Sequence, residues 1–213
     1  MNSIIYNFEK IKKNINNNVN IVAVSKSFNF DYIKPLVDYG HTHFGENKVQ
    51  EALHKWSDIK KIKPEINLHM IGKLQSNKAK EAVNLFEYIH SVDTPKLAGL
   101  LSKFEILLNK KRKYFIQVNI GNENQKNGIR VEVLDNFFKH CSRNLNLDII
   151  GLMAIPPNDG KENLYFKHLM ELNESLGLKE LSLGMSGDFK VAIKNKSTFV
   201  RIGSAIFGNR KRN

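Results

Sequence analysis

The sequence predicts an α/β protein built as a single (β/α)8 TIM-type barrel with an extra N-terminal helix. Short apolar runs, of the kind that make strands buried on both faces, alternate with longer amphipathic stretches, and the alternation returns eight times in 213 residues. No Pro-, Gly- or Ser-rich linker divides the chain, so residues 1–213 read as one domain. An open doubly wound sheet gives a similar string, but eight units in a chain of this length favour closure.

Ile4, Phe8, Ile11 and Ile15 recur at helical spacing and predict the leading helix, which the run Asn16-Asn17-Asn18 ends. Ile21-Val22-Ala23-Val24, ending in Ser25-Lys26, is the first strand. Further strands are predicted at His43-Phe44, Leu68 to Ile71, Tyr88 to Val92, Phe115 to Ile120, Ile149 to Met153, Leu181 to Leu183 and Phe199 to Ile202. Between them, sets such as Val49/Leu53/Trp56, Leu97/Leu100/Leu101/Phe104/Leu108, Val133/Leu134/Phe137/Phe138 and Tyr165/Leu169/Leu172/Leu176 mark helices with charge on the opposite face.

Hydrophobic residues at 41% and charged residues at 25% are ordinary for a soluble globular protein. The longest apolar runs fall short of the roughly 20 residues a membrane helix needs. The N-terminus reaches Glu9-Lys10 too early for a secretory apolar region, so a cytoplasmic protein is expected. The one cysteine, Cys141, excludes an intramolecular disulfide and a Cys-rich zinc site and reads as packing. The net charge of +12 is spread over helix surfaces, with clusters only at Lys110-Lys111-Arg112-Lys113 and Arg210-Lys211-Arg212. A solvated basic surface is therefore expected in preference to a nucleic-acid partner.

In such a barrel, function collects where strands end, so polar residues just after apolar runs are the candidates. Lys26 at the barrel mouth could be a desolvated, nucleophilic amine able to form a Schiff base; by position alone an ordinary solvated lysine at a strand end is the commoner case. In Leu183-Gly184-Met185-Ser186-Gly187-Asp188, the amides of Ser186 and Gly187 and the Ser186 hydroxyl could meet an anion, although capping by Ser186 or Asp188 explains them as well. Gly184-Met-Ser-Gly-Asp resembles a nucleophile elbow, but its fifth position is Asp188 and no His/Asp partner is placed, so serine hydrolysis is rejected.

The last strand ends in Arg201 and opens a short helix through Gly203 and Ser204. The loops after strands seven and eight are the usual phosphate site of barrels, and two adjoining Gly/Ser loops point to one phosphate between them. Gly45-Glu46-Asn47-Lys48 and Ile71-Gly72-Lys73-Leu74-Gln75-Ser76-Asn77-Lys78 could also line the mouth, with helix capping and charged first turns as the plainer account of Glu46 and Asn77. His41-x-His43 lacks a matching carboxylate or cysteine, so no metal site is expected and these histidines read as structural or surface residues.

Ala23-Val24-Ser25-Lys26, His43-Phe44-Gly45-Glu46-Asn47-x-Val49-Gln50-Glu51, Ile71-Gly72-x-Leu74-Gln75-Ser76-Asn77-Lys78, Gly184-Met185-Ser186-Gly187-Asp188 and Val200-Arg201-Ile202-Gly203 together resemble the pyridoxal phosphate homeostasis protein family. The resemblance spans nearly the whole chain and implies a single barrel like the N-terminal domain of alanine racemase. It implies that Lys26 carries pyridoxal 5′-phosphate (PLP) as a Schiff base, that Ser186, Gly187, Gly203 and Ser204 hold the phosphate, that Arg201 faces the pyridine nitrogen, and that Asn47 belongs to the cofactor site. An always-charged guanidinium there would weaken the ring as an electron sink.

The implied role is intracellular PLP (vitamin B6) homeostasis without an established reaction. A Schiff-base enzyme on the same barrel, a weak single-domain racemase or a class I aldolase, is the alternative. Racemases of this fold type need a second domain with an opposing tyrosine, and none is expected here. Implied partners are PLP and other B6 vitamers, with PLP-dependent apo-enzymes as recipients, and a monomer or weak dimer is expected. The chain departs from the family after Lys26, where Ser27-Phe28-Asn29 stands in place of Thr-Lys-Pro or a close variant, and at Ser204, where threonine is commoner.

Overall fold

A computed structural model describes residues 2–16 and 18–208. Asn17 and the basic run Arg210-Lys211-Arg212 lie outside the described residues, so the middle of the Asn run and that charge cluster have no structural account.

Eight parallel strands form a closed barrel in sequence order: β1 (Asn20–Val24), β2 (His43–Glu46), β3 (Asn67–Met70), β4 (Tyr88–Val92), β5 (Lys113–Gln117), β6 (Asp148–Met153), β7 (Glu180–Ser182) and β8 (Phe199–Ile202). Closure is made by β1 on β8, with Val22 level with Arg201 and Ala23 with Ile202. The helices are α1 (Ser3–Lys12), α2 (Phe30–Asp38), α3 (Val49–Ile62), α4 (Ala79–Leu85), α5 (Pro95–Leu108), α6 (Leu134–Lys139), α7 (Glu162–Ser175), α8 (Phe189–Lys194) and α9 (Ser204–Phe207). The extra helix α1 packs on α2 and α9, and Asn7 Nδ2 donates to the Ile206 carbonyl at 3.1 Å.

Strand side chains alternate between two separate apolar layers. Val22, Phe115, Met153 and Phe199, with Tyr88 and Ile150, fill the barrel interior. Ile21, Ala23, Phe44, Leu68 and Ile89 point the other way, into the layer shared with the helices. Helix starts are set by local chemistry: the Thr94 hydroxyl accepts from Leu97 N at 3.3 Å with Pro95 in the first turn, and Asn29 accepts from Tyr32 N at 3.0 Å.

Boundaries differ from the sequence reading where polar residues continue a ladder. Strand β2 runs on through Gly45-Glu46 because both pair with β3. Strand β5 starts at Lys113 and stops at Gln117, two residues before the expected start at 115 and three before the expected end at 120. The reason is that Gln117 and Asn119 exchange backbone bonds with Ile129 of the following loop, at 2.8 and 2.9 Å. The leading helix ends at Lys12, where the chain turns before Ile15. Lys110-Lys111-Arg112-Lys113 is not one patch: Lys111 pairs with Glu105 at 3.0 Å, Arg112 Nε donates to the Val83 carbonyl at 2.8 Å, and Lys110 binds Asn84. Cys141 is buried, and burial pushes its thiol up to about 12, as packing requires.

Trp56 of α3 is fully buried against Phe44, at 4.9 Å between ring centroids, and Phe30, at 5.9 Å. Trp56→Ala is expected to cost about 3–5 kcal/mol in urea unfolding, the range for deleting a large buried aromatic side chain.

Candidate functional site

At the end of the barrel where the strands give way to βα loops lies a cavity of about 850 Å3. Lys26, Asn47, Ser186, Gly187, Arg201, Gly203 and Ser204 all line it, together with Val24, Phe28, Ile71, Ile155 and Met185.

Lys26 follows β1 in a turn, half-buried, and the residue before it is clamped twice. The Ser25 hydroxyl donates to Glu46 Oε1 at 2.7 Å, and Lys55 Nζ donates to the Ser25 carbonyl and to Glu46 Oε1, both at 2.8 Å. Trp56 Nε1 adds a third bond to the same carboxylate oxygen at 2.9 Å. Glu46 is therefore no first-turn charge, as sequence reasoning suggested. It points from β2 under α3, fully buried, because α3 supplies a cation and an indole donor there. Gly72 closes on this loop, since a Cβ on it would sit 2.4 Å from the Asn47 carbonyl oxygen.

The departure at Ser27-Phe28-Asn29 has a structural account. Ser27 takes φ 66°, which turns the chain, and Asn29 caps α2. Phe28 lines the cavity and stacks on Tyr32 at 4.9 Å and against Phe207 at 5.4 Å. Tyr32 Oη donates to the Phe207 carbonyl at 2.7 Å, so this seam ties the β1 loop to the loop after β8.

On the opposite wall, Gly184 at φ 87° starts a turn through Ser186 to Asp188, and the Asp188 carboxylate accepts from Met185 N at 2.5 Å. Asp188 sits at the cap position of α8 but its side chain makes no cap bond, so neither capping assignment for this turn holds. The Ser186 hydroxyl accepts from Ala205 N at 3.3 Å, which joins the loops after β7 and β8. The amides of Ser186, Gly187, Gly203 and Ser204 find no acceptor among the described residues. Four unspent main-chain donors on one cavity wall fit a phosphate.

Arg201 is buried and held by carbonyl and hydroxyl oxygens. Its Nη1 donates to the Ser182 carbonyl and hydroxyl, both at 2.7 Å, and Nη2 to the Ala154 carbonyl at 2.9 Å. Burial lowers its pKa to about 10, with Asp188 opposing the shift, so the group stays cationic at neutral pH. These contacts leave guanidinium N–H groups over for the cavity.

A line of imidazoles leads from Arg201 down the barrel interior. His90 Nδ1 lies 2.9 Å from the Ser182 hydroxyl, His69 Nδ1 lies 2.9 Å from His90 Nε2, and His43 Nδ1 lies 2.9 Å from His69 Nε2. His43 opens on a second cavity of about 230 Å3 at the floor, beside His41 and Lys12. Desolvation holds His69 and His90 well below the ordinary histidine value, helped at His90 by Arg201 and at His69 by the neighbouring imidazoles, and pushes His41 down to about 4. In the sequence only His41-x-His43 stands out as a histidine pair. The signal for the others was the inward register of His69 and His90, one on each of the next two strands.

Residues 1–211 match the family model described as alanine racemase, N-terminal domain. A pyridoxal phosphate homeostasis protein of Aquifex aeolicus is 36% identical over 90% of this chain and 87% of its own length. One from Vibrio cholerae is 38% identical over 90% of this chain and 86% of its own. The chain belongs to the pyridoxal phosphate homeostasis protein family. PipY of Synechococcus elongatus PCC7942, solved with PLP bound, superposes with a TM-score of 0.89 at 32% identity, covering 96% of this chain and all of PipY (100%). Family membership thus agrees with the barrel. Among the described residues no helix is long and apolar enough to cross a membrane.

Two outcomes follow from the buried polar groups. Glu46→Ala leaves the Lys55 ammonium, 8% exposed, without its partner, and is expected to cost about 3–5 kcal/mol in urea unfolding; the double change Glu46→Leu with Lys55→Met should cost clearly less. The histidines bind protons less readily folded than unfolded. Stability should therefore be full above the unfolded value of 6.5 and fall as pH drops from there towards 4. The slope should approach about 1.4 kcal/mol per pH unit per buried histidine, measured by urea titrations at stepped pH.

Proposed function

We propose that this chain binds PLP in the mouth cavity as a Schiff base on Lys26 and serves intracellular PLP balance, as one domain and without turning over a substrate. The observation that carries the reading is a coincidence in one cavity: a lysine amine, a buried guanidinium and four amide donors with no acceptor among the described residues. The PLP-bound relative PipY supports it, as do the names of the curated relatives, which denote homeostasis and no reaction.

In this reading Ser186, Gly187, Gly203 and Ser204 hold the phosphate through main-chain N–H groups, and the Ser204 hydroxyl replaces threonine without loss of a donor. The Ser25 clamp fixes the backbone from which Lys26 reaches into the cavity. Asn47 borders the ring from the β2 side. Bound PLP supplies a conjugated electron sink, whose strength depends on a proton at the ring nitrogen. Arg201 opposes that proton, because a cation held by three oxygen acceptors cannot itself accept one. The wall formed by Val24, Phe28, Ile71, Ile155 and Met185 offers no acid or base for proton transfer at a substrate carbon. The ligands are PLP and other B6 vitamers, and the recipients are PLP-dependent apo-enzymes in the cytoplasm.

Borohydride reduction followed by peptide mapping is expected to find one PLP adduct, on Lys26, and Lys26→Ala to abolish the visible absorption band. An adduct confined to another lysine would overturn the assignment. Alanine or serine racemisation at enzymic rates would establish the Schiff-base enzyme instead.

A further inference from the structure

The direction of the hydrogen bonds in the histidine line is fixed by its end group. Arg201 can only donate, so the Ser182 hydroxyl must accept from Nη1. That leaves the hydroxyl proton to be placed. Besides Arg201 and the carbonyl it shares with it, the Ser182 side chain meets one polar group among the described residues, His90 Nδ1 at 2.9 Å. If His90 carried its proton on Nδ1, Ser182 would accept twice and its own proton would lie buried without an acceptor, a cost of about 1–3 kcal/mol. Ser182 therefore donates to His90 Nδ1. His90 then donates from Nε2 to His69 Nδ1, and His69 donates from Nε2 to His43 Nδ1.

We propose that Ser182, His90, His69 and His43 form a hydrogen-bond column of one polarity, its acceptor ends facing Arg201, and that this column meets the buried guanidinium at the position where a carboxylate usually would. Among the described residues Arg201 makes no ion pair. Three imidazole dipoles aligned with their lone pairs towards the mouth offset part of the charge without cancelling it. A carboxylate in direct contact would neutralise the guanidinium; the column leaves a net cation at the cavity wall, which suits an anionic, phosphate-bearing ligand.

The surroundings keep the column neutral. Lys113 acts on His43 at the floor and stands 5.5 Å over the Tyr88 ring, Lys12 acts on His41, and Arg201 acts on His90; each is a cation that discourages a second proton. Packing holds the rings in line. His69 stacks on Tyr88 at 4.3 Å, His90 stacks on Phe115 at 4.3 Å, and Phe199 stands edge-on to His90 and tilted to His69. Ser182, His90 and His69 are thus positioning residues that act on the cavity through Arg201.

The column belongs to the protein without cofactor, while its effect on ligand binding rests on the function proposed above, so two readouts separate them. Nitrogen-15 NMR of the cofactor-free protein near pH 7 should find His43, His69 and His90 neutral with the proton on Nε2. A proton on Nδ1 of His90 overturns the proposal. Equilibrium dialysis with PLP should then show roughly tenfold weaker binding for His90→Phe, which keeps the ring stack but cannot accept from Ser182. His90→Gln can accept on one side and donate on the other and should restore binding to within about twofold of the parent. Ser182→Ala, should His90→Phe not fold, is expected to match its loss. Phe and Gln variants binding PLP equally would overturn the proposal. A parent protein that shows the expected tautomers but binds no PLP would remove the functional reading and leave the column standing.

Discussion

A guanidinium sealed inside a barrel must have its charge met by something, and the way Arg201 is met organises much of this molecule. Oxygen acceptors arrive from the ends of β6 and β7, through the Ala154 carbonyl and both oxygens of Ser182. Because Ser182 is spent as an acceptor, its proton has to be taken from the other side, and that demand passes through His90 and His69 to the floor. Inward positions on three neighbouring strands are committed to imidazoles that an apolar barrel would fill with aliphatic side chains. Charge at the mouth and polar packing in the interior are one arrangement.

The opposite side of the cavity is built by a different route. Glu46 leaves the barrel interior and, with Lys55 and Trp56 from α3, grips the two oxygens of Ser25. A buried ion pair is a poor source of net stability, since desolvation consumes most of its attraction, but it is strongly directional. Here the direction is spent on the backbone immediately before Lys26. The aromatic seam of Phe28, Tyr32 and Phe207 then fixes the backbone just after it and anchors that loop to the segment after β8. The lysine is held from both sides by groups outside the cavity, so its reach is set by the fold before any ligand arrives.

The barrel was legible because its signal is repetition: eight apolar runs in register with amphipathic spacers allow few architectures. The seven candidate residues were legible because strand ends in a barrel converge on one mouth, so Lys26 and Arg201, 175 positions apart in the chain, are forced to the same cavity. Other features were not legible, for physical reasons. Glu46 looked like a helix first-turn charge because its partners, Ser25 and Lys55, lie on elements whose packing no linear pattern reveals. The histidine line depends on the register of β2, β3 and β4, and a shift of one residue would turn His69 or His90 out of the barrel. Strand β5 ended early because a later loop competed for its edge at Gln117 and Asn119, a contact with no local signature.

The same geometry limits the chemistry the cavity supports. Carbanion chemistry on a pyridine ring is strengthened by a proton on the ring nitrogen and uses an acid–base group on the substrate side. In the proposed reading Arg201 stands at the ring nitrogen, a cation where a carboxylate would favour the proton, and Val24, Phe28, Ile71, Ile155 and Met185 are apolar parts of the same cavity lining. One wall is well supplied for an anion, with four amides on the loops after β7 and β8 and Arg201 on β8 itself. In the proposed reading, binding free energy goes to the phosphate and to one amine, which is the distribution that holding a cofactor calls for.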